Sequence, residues 1–142
     1  LNKGLGVIIM NNIPGPINLG WPKITKDFTI TQGNKGYINF SVIALNDGSA
    51  YSSYIGFTAK LSIVTSGLSV IKTLTSANGD ITITNTPPST TLDFKIIFKS
   101  QDTILFPADS ILLADLMVIS PDGIEKQFPL SLKIKVLPSY TR

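Results

Sequence analysis

The chain has 142 residues, enough for one domain with a proper core, and only 15% of them are charged, against roughly 25% in an average soluble domain. It contains no Cys and no His, which excludes disulfides, thiolate metal sites and nucleophilic triads of the Ser-His-Asp kind. The net charge of +3 is scattered and no apolar run reaches roughly 20 residues, so we expect neither a nucleic-acid partner nor membrane insertion.

Residues 1–22 are predicted to form an extended N-terminal arm. Its prolines and glycines forbid a helix and interrupt any strand ladder, yet the stretch is too apolar for a solvated linker. The arm therefore packs either on its own domain or on an adjacent subunit, and the sequence leaves both alternatives open. Its candidate interface residues are Val7, Ile8, Ile9, Ile13, Ile17 and Trp21.

Beyond the arm, apolar and polar residues alternate with the period of two that is typical of half-buried strands. The predicted strands cover residues 26–31, 37–44, 55–64, 69–75, 81–85 and 92–99. Asn78-Gly79, between the fourth and fifth of them, is a typical signal for a tight hairpin. Residues 23–138 are predicted to form the β domain, and residues 139–142 its tail.

A closing hairpin is predicted from two runs, 110–119 and 128–136, joined by Ser120-Pro121-Asp122-Gly123. The second run alternates, so Phe128 is predicted to face inward together with Leu130. The first run is apolar on both faces, which predicts a strand covered on both faces by the arm or by another chain. Its outward candidates for an interface are Ile111, Leu113, Met117 and Ile119.

Roughly seven to nine short strands at near-regular spacing predict an all-antiparallel, immunoglobulin-like β-sandwich. An up-and-down barrel is the alternative fold.

Few residues could carry chemistry. Asp102, Asp109 and Asp115 are the nearest approach to a carboxylate cluster, and a turn explains Asp109 better than catalysis does. We therefore expect no enzyme activity, no metal and no cofactor. Tyr51 and Tyr54, in a loop rich in Tyr and Ser, are candidate glycan contacts together with Trp21.

The order of features from Lys26 to Leu137 resembles the N-terminal immunoglobulin-like domain of phage baseplate upper proteins. The matching stretches are Phe28-Thr29-Ile30-Thr31-Gln32-Gly33-Asn34, Leu45-Asn46-Asp47-Gly48-Ser49, Ile55 to Ile63, Asn78-Gly79-Asp80-Ile81, Phe106-Pro107-Ala108 through Leu116, Ser120-Pro121-Asp122-Gly123, and the strand ending Lys135-Val136. The sequence departs from the family at Asp109-Ser110-Ile111, where the family usually has Gly and then Tyr.

The resemblance implies a structural virion protein of a phage tail, made in the host cytoplasm. Such a baseplate or tail-collar subunit would assemble with copies of itself into a ring and anchor tail fibres to other tail proteins. The family domain is commonly followed by a fibre shaft, whereas this sequence stops at Arg142, which favours a collar or adaptor subunit. The alternative function is a β-sandwich module that binds carbohydrate or a host receptor.

Overall fold

The alternating segments fold into two β-sheets that pack face to face, as the sequence predicts for a sandwich. The structure, a computed structural model, describes residues 8–13, 17–18, 23–43, 45–46, 49–50, 56–84, 92–121, 123–124 and 126–139. In chain order the elements are β1 (Ile8–Asn12), β2 (Ile17–Asn18), β3 (Ile24–Thr31), β4 (Lys35–Ile43), β5 (Leu45–Asn46), β6 (Ser49–Ala50), β7 (Thr58–Val64), β8 (Val70–Thr75), β9 (Ile81–Thr84), β10 (Leu92–Phe98), α1 (Ser100–Thr103), β11 (Ser110–Ile119) and β12 (Lys126–Leu137).

Sheet I has the strand order β1-β4-β10-β9, with β2 also paired to β4, and sheet II has the order β3-β12-β11-β7-β8. The order β4-β10-β9 corresponds to strands B, E and D of an immunoglobulin fold, and β12-β11-β7-β8 corresponds to G, F, C and C′. This arrangement confirms the predicted immunoglobulin-like sandwich. No described strand joins the two sheets into a barrel.

The prediction that all strands pair antiparallel is wrong for the N-terminal segments. Strand β3 runs parallel to β12, and β1 and β2 run parallel to β4. A short hairpin forces its two strands to be antiparallel, but these pairs join strands that are not consecutive in the chain. The alternation of side chains shows which face a residue takes and does not show strand direction.

The core lies between the sheets and is made by buried inward residues of β3, β4 and β7 to β12, together with Phe57 and Phe106. Phe40 and Phe94 stack across β4 and β10 with ring centroids 5.0 Å apart. Phe28 of sheet II contacts Phe98 of sheet I at 5.4 Å, so an aromatic pair joins the two layers. Each such ring buries a large apolar area, so these pairs contribute strongly to the stability of the core.

The connection from β8 to β9 is not the predicted hairpin, because β8 belongs to sheet II and β9 to sheet I. Gly79 does take the left-handed conformation, with φ +80. The turn is held by Asp80, a buried carboxylate that accepts the backbone N–H of Thr75 and lies 3.1 Å from the Lys99 ammonium. The chain therefore crosses between sheets at the point where the sequence pattern favoured a return within one sheet.

The described parts of the arm lie on their own domain. Residues 8–12 pair with residues 35–39 of β4, and Ile17 and Asn18 pair with Val42 and Ile43. Ile13 donates its backbone N–H to the Asn39 carbonyl at 3.0 Å and packs against the core. Of the two alternatives for the arm, these segments take the intramolecular one.

Candidate interaction surface

Strand β11 occupies the centre of sheet II, between β12 and β7, and alternates strictly. Its inward residues, Leu112, Ala114, Leu116 and Val118, are buried. Its outward residues are Ile111, Leu113, Asp115, Met117 and Ile119. The described arm segments lie along β4 of sheet I, so they do not cover this outer face.

The first part of the outer face carries an exposed apolar group. Ile111 is 47% exposed and Leu113 is 40% exposed. Leu113 lies opposite Val64 of β7, which in turn lies opposite Val70 of β8, itself 60% exposed. We call Ile111, Leu113, Val64 and Val70 the outer cluster. Its side chains belong to adjacent strands of one sheet, so they form a continuous apolar surface across three strands.

A polar row follows the outer cluster along the strands. Asp115 lies opposite Ser62 on one side and Ser131 on the other. The Ser131 hydroxyl donates to Asp115 Oδ1, and the Lys23 ammonium lies 3.3 Å from the same oxygen. Lys23 and Asp115 are both largely exposed, so their ion pair contributes little to stability.

Beyond the polar row, strand β12 contains a β-bulge. The sequence prediction that Phe128 faces inward is wrong because of this bulge. Leu116 pairs with Leu130 but Val118 pairs with Gln127, so Phe128 and Pro129 together stand opposite Met117. Proline cannot donate to a strand ladder and is tolerated at such a bulge. The extra residue turns Phe128 outward, where it is 44% exposed. Met117 and Ile119 beside it are half-buried.

The charges on this face are mostly positive. Lys133 lies opposite Leu113, and Lys135 lies opposite Ile111, and both ammonium-bearing side chains are exposed. Lys60 and Lys126 are exposed near the other end of β11. Among the described residues of the outer face, the acidic ones are Asp115 and Asp27, which lies opposite Lys133 on β3. The outer face of sheet II is thus apolar and basic.

The outer face of sheet I is different, because most of its described outward side chains are polar, with Tyr37 and Ile97 as the apolar ones. It carries a shallow depression of about 670 Å³ whose polar lining residues are Asn12, Asn39, Ser41, Thr82, Thr84, Asp93 and Lys95. Ser41 donates to Asp93 at 2.6 Å, and Asn39 donates to Asn12 at 3.2 Å. Beside the depression, the Lys95 ammonium lies 4.6 Å from the Tyr37 ring centroid. This face is polar and close to neutral.

The structure places the other predicted site residues as follows. Ile8, Ile9 and Ile17 lie in β1 and β2, and Ile13 follows β1 directly. Val7, Trp21, Tyr51 and Tyr54 lie outside the described residues, as does most of the Tyr and Ser loop. The exposed Leu68, Val70 and Phe128 were not among the predicted interface residues. Leu68 lies in the turn between β7 and β8, outside the predicted strands, and Val70 is the first residue of β8.

The three aspartates that came nearest to a carboxylate cluster have separate partners. Asp102 of α1 lies 3.4 Å from the Lys72 ammonium, and Asp115 belongs to the polar row. Asp109 takes φ +57 in a turn and donates its backbone N–H to the Val136 carbonyl. In the part of the chain that the structure describes, no group of three or more acidic side chains is placed to hold a metal ion.

Over the described residues, no helix has the length and apolar character needed to cross a membrane. No protein-family model matches the chain, and no curated protein matches its sequence.

Proposed function

We propose that the protein is a structural subunit of a bacteriophage tail, in a baseplate or tail collar, which assembles with copies of itself into a ring and anchors tail fibres. The observation that carries the proposal is the outer cluster of sheet II. A small soluble domain normally gives both outer faces of its sandwich polar side chains, as sheet I does here. An apolar face on the second sheet supports a domain covered by neighbouring proteins.

The backbone at Asp109 supports the resemblance behind this proposal. Asp109 stands where phage baseplate upper proteins usually have Gly, and its φ of +57 lies in the left-handed region that Gly adopts freely. Aspartate is among the residues that tolerate this region. The departure in sequence therefore leaves a conformation that suits Gly at the same position.

A ring subunit that also holds a fibre needs more than one contact surface. The described residues offer a second exposed apolar region at the end of the sandwich, beyond α1, where Ile104 is 42% exposed and Leu105 is 79% exposed. Ile104 lies against the turn that joins β3 and β4. Its Cδ1 atom is 3.3 Å from the point that a Cβ atom would occupy if Gly33 carried a side chain. The segments of the arm that pair with β4 are occupied within the chain and are not part of the proposed ring contact.

The ring is tested by multi-angle light scattering of the recombinant protein, with mass spectrometry and immunogold labelling of purified virions. We expect a single species whose mass is an integral multiple of the 15.3 kDa chain, and label on the tail. A monomer at all concentrations, or absence of the protein from virions, would contradict the proposal.

The polar depression on sheet I favours a second candidate, a carbohydrate-binding module. Its amides, hydroxyls and single carboxylate are the groups that hydrogen-bond sugar hydroxyls. The Tyr51 and Tyr54 loop of the sequence prediction lies outside the described residues. Glycan-array binding that is lost in Asn39→Ala with Asp93→Ala, and kept in Ile111→Ser with Leu113→Ser, would favour this candidate over the structural role.

A further inference from the structure

A strained leucine stands at the rim of the outer cluster. The turn between β7 and β8 closes with the Thr65 N–H donating to the Ser69 carbonyl at 2.9 Å and the Leu68 N–H donating to the Thr65 carbonyl at 2.8 Å. The last residue of such a three-residue loop takes the left-handed conformation, for which Gly is preferred. Here that residue is Leu68, with φ +66, while Gly67 directly before it has no positive φ.

Burial within the described chain does not offset this backbone strain, because the Leu68 side chain is 74% exposed. A leucine with a left-handed backbone and a solvent-exposed side chain destabilises the fold in two ways. The backbone is strained, and apolar area stays in contact with water. Strained residues of this kind cluster where a protein binds something. Leu68 lies in the turn that joins β7 and β8, two residues before Val70, so it borders the outer cluster at the edge of sheet II.

The charges beside the outer cluster indicate what covers it. Lys133 and Lys135 flank Leu113 and Ile111 on the neighbouring strand. A second copy packed on this face would add its own basic side chains to the same interface, and like charges oppose association. A partner that carries carboxylates around an apolar centre would instead be attracted. Aliphatic side chains at the centre of the surface do not stack on nucleobases, so a protein fits better than a nucleic acid.

We infer that the outer cluster, with Leu68 at its rim, is a docking site for an acidic segment of a different protein, whose apolar side chains cover Leu68, Leu113 and Ile111 and whose carboxylates meet Lys133 and Lys135. The inference rests on the proposed function in one respect, since it assigns this face to another tail component. The contacts between copies in the ring then use other surfaces of the chain.

The test uses fluorescence anisotropy with a short labelled peptide that alternates Leu and Glu. Its controls are a peptide that alternates Leu and Lys, a peptide that alternates Ser and Glu, and vesicles rich in phosphatidylserine. We expect the Leu and Glu peptide to bind and the two control peptides and the vesicles not to bind. Binding to the vesicles alone would overturn the inference in favour of a membrane surface, and no binding to the Leu and Glu peptide would overturn it outright.

Variants identify the surface. Lys133→Glu with Lys135→Glu should lower the affinity for the Leu and Glu peptide at least tenfold and should create affinity for the Leu and Lys peptide. The control variant on sheet I, Lys35→Glu with Lys95→Glu, should change neither affinity. Leu68→Gly and Leu113→Ser should each weaken binding about tenfold while the circular dichroism spectrum stays native. Unchanged binding in the Lys133 and Lys135 variant would show that the peptide binds elsewhere.

Light scattering of the same variants separates this inference from the proposed ring. A ring mass that falls in Leu113→Ser would show a contact between copies at this face and would overturn the inference, with the ring intact in the parent protein. A monomeric parent protein that binds the acidic peptide in the expected pattern would instead contradict the ring and support the docking site.

Discussion

At the scale of single residues, Asp80 and Leu68 both occupy energetically unfavourable positions, but they differ in their effect on the fold. Asp80 is a carboxylate that is almost fully buried, and its partners are a backbone N–H and the Lys99 ammonium. Leu68 is an apolar residue held exposed in a conformation that favours Gly. The first stabilises the crossing between sheets, and the second stabilises nothing within the described chain.

Replacing Asp80 should destabilise the fold. Asp80→Ala leaves the Thr75 N–H without its carboxylate acceptor and the Lys99 ammonium without its ion pair, which costs about 1–3 kcal/mol. Urea unfolding followed by circular dichroism measures the loss. Asp93→Ala, which removes an exposed aspartate of sheet I, is the control and should change the free energy of unfolding by about 0.5 kcal/mol or less. An equal change in the free energy of unfolding in the two variants would mean that the Asp80 carboxylate is not buried in solution.

Leu68→Gly should stabilise the protein while it weakens docking. A left-handed non-glycine residue costs about 1–2 kcal/mol, and glycine gives back about 0.5–1 kcal/mol through its greater freedom in the unfolded chain. We expect a net gain of about 0.5–1 kcal/mol in the free energy of unfolding, measured in urea. The matched change Leu74→Gly, at a buried position of β8, should be strongly destabilising.

At the scale of elements, the sequence predicts the strands well because the period of two follows from burial of one face. The strands around Phe40, Leu61 and Ile96 lie where the alternation places them. It does not predict where Phe128 points, because the bulge at Pro129 shifts the phase by one residue. It also does not predict the parallel pairs or α1, since partner choice is set by the whole sheet and α1 has only four residues.

The bulge can be tested by comparing two substitutions in β12. Phe128→Ala should change the free energy of unfolding by less than about 1 kcal/mol, because the ring is already exposed. Leu130→Ala, two residues later, should cost about 2–5 kcal/mol, because Leu130 is fully buried. If Phe128→Ala lowers the free energy of unfolding as much as Leu130→Ala does, Phe128 faces the core and β12 has no bulge.

The arm can be tested by deleting residues 1–18. The truncated chain should stay folded, since the core between the sheets is retained, but it should unfold at a lower urea concentration because β4 loses its neighbours β1 and β2. The newly open edge of β4 should also promote association at high concentration. Deletion of residues 140–142 is the control. Unchanged stability on deletion of the arm would show that β1 and β2 do not pair with β4 in solution.

At the scale of the whole molecule, the two outer faces differ in chemistry although the same alternation builds both. The alternation in the sequence identifies Ile111 and Leu113 as an apolar outer side of one strand. It could not identify the outer cluster, because Val64 and Val70 join these residues only through the pairing of β11 with β7 and of β7 with β8. The lysines of β12 join the same surface for the same reason.

This asymmetry predicts colloidal behaviour. Ile111→Ser with Leu113→Ser should raise the ammonium sulfate concentration at which the protein precipitates and should lower its binding of a hydrophobic dye, with little change in stability. The matched double substitution on sheet I, Asn39→Ser with Thr82→Ser, should change neither. Equal precipitation of all three proteins would place the exposed apolar surface elsewhere.

The pairing of β3 with β12 has a consequence for synthesis. Ile24 and Leu130 are partners across roughly 100 residues of chain, so sheet II gains its edge strand only when its last strand has been made. At about 5–20 residues per second, the ribosome keeps β3 and its inward-facing Phe28 and Ile30 without their partner for roughly 5–20 seconds. The nascent chain is therefore expected to need shielding of β3 by a chaperone until β12 has left the ribosome.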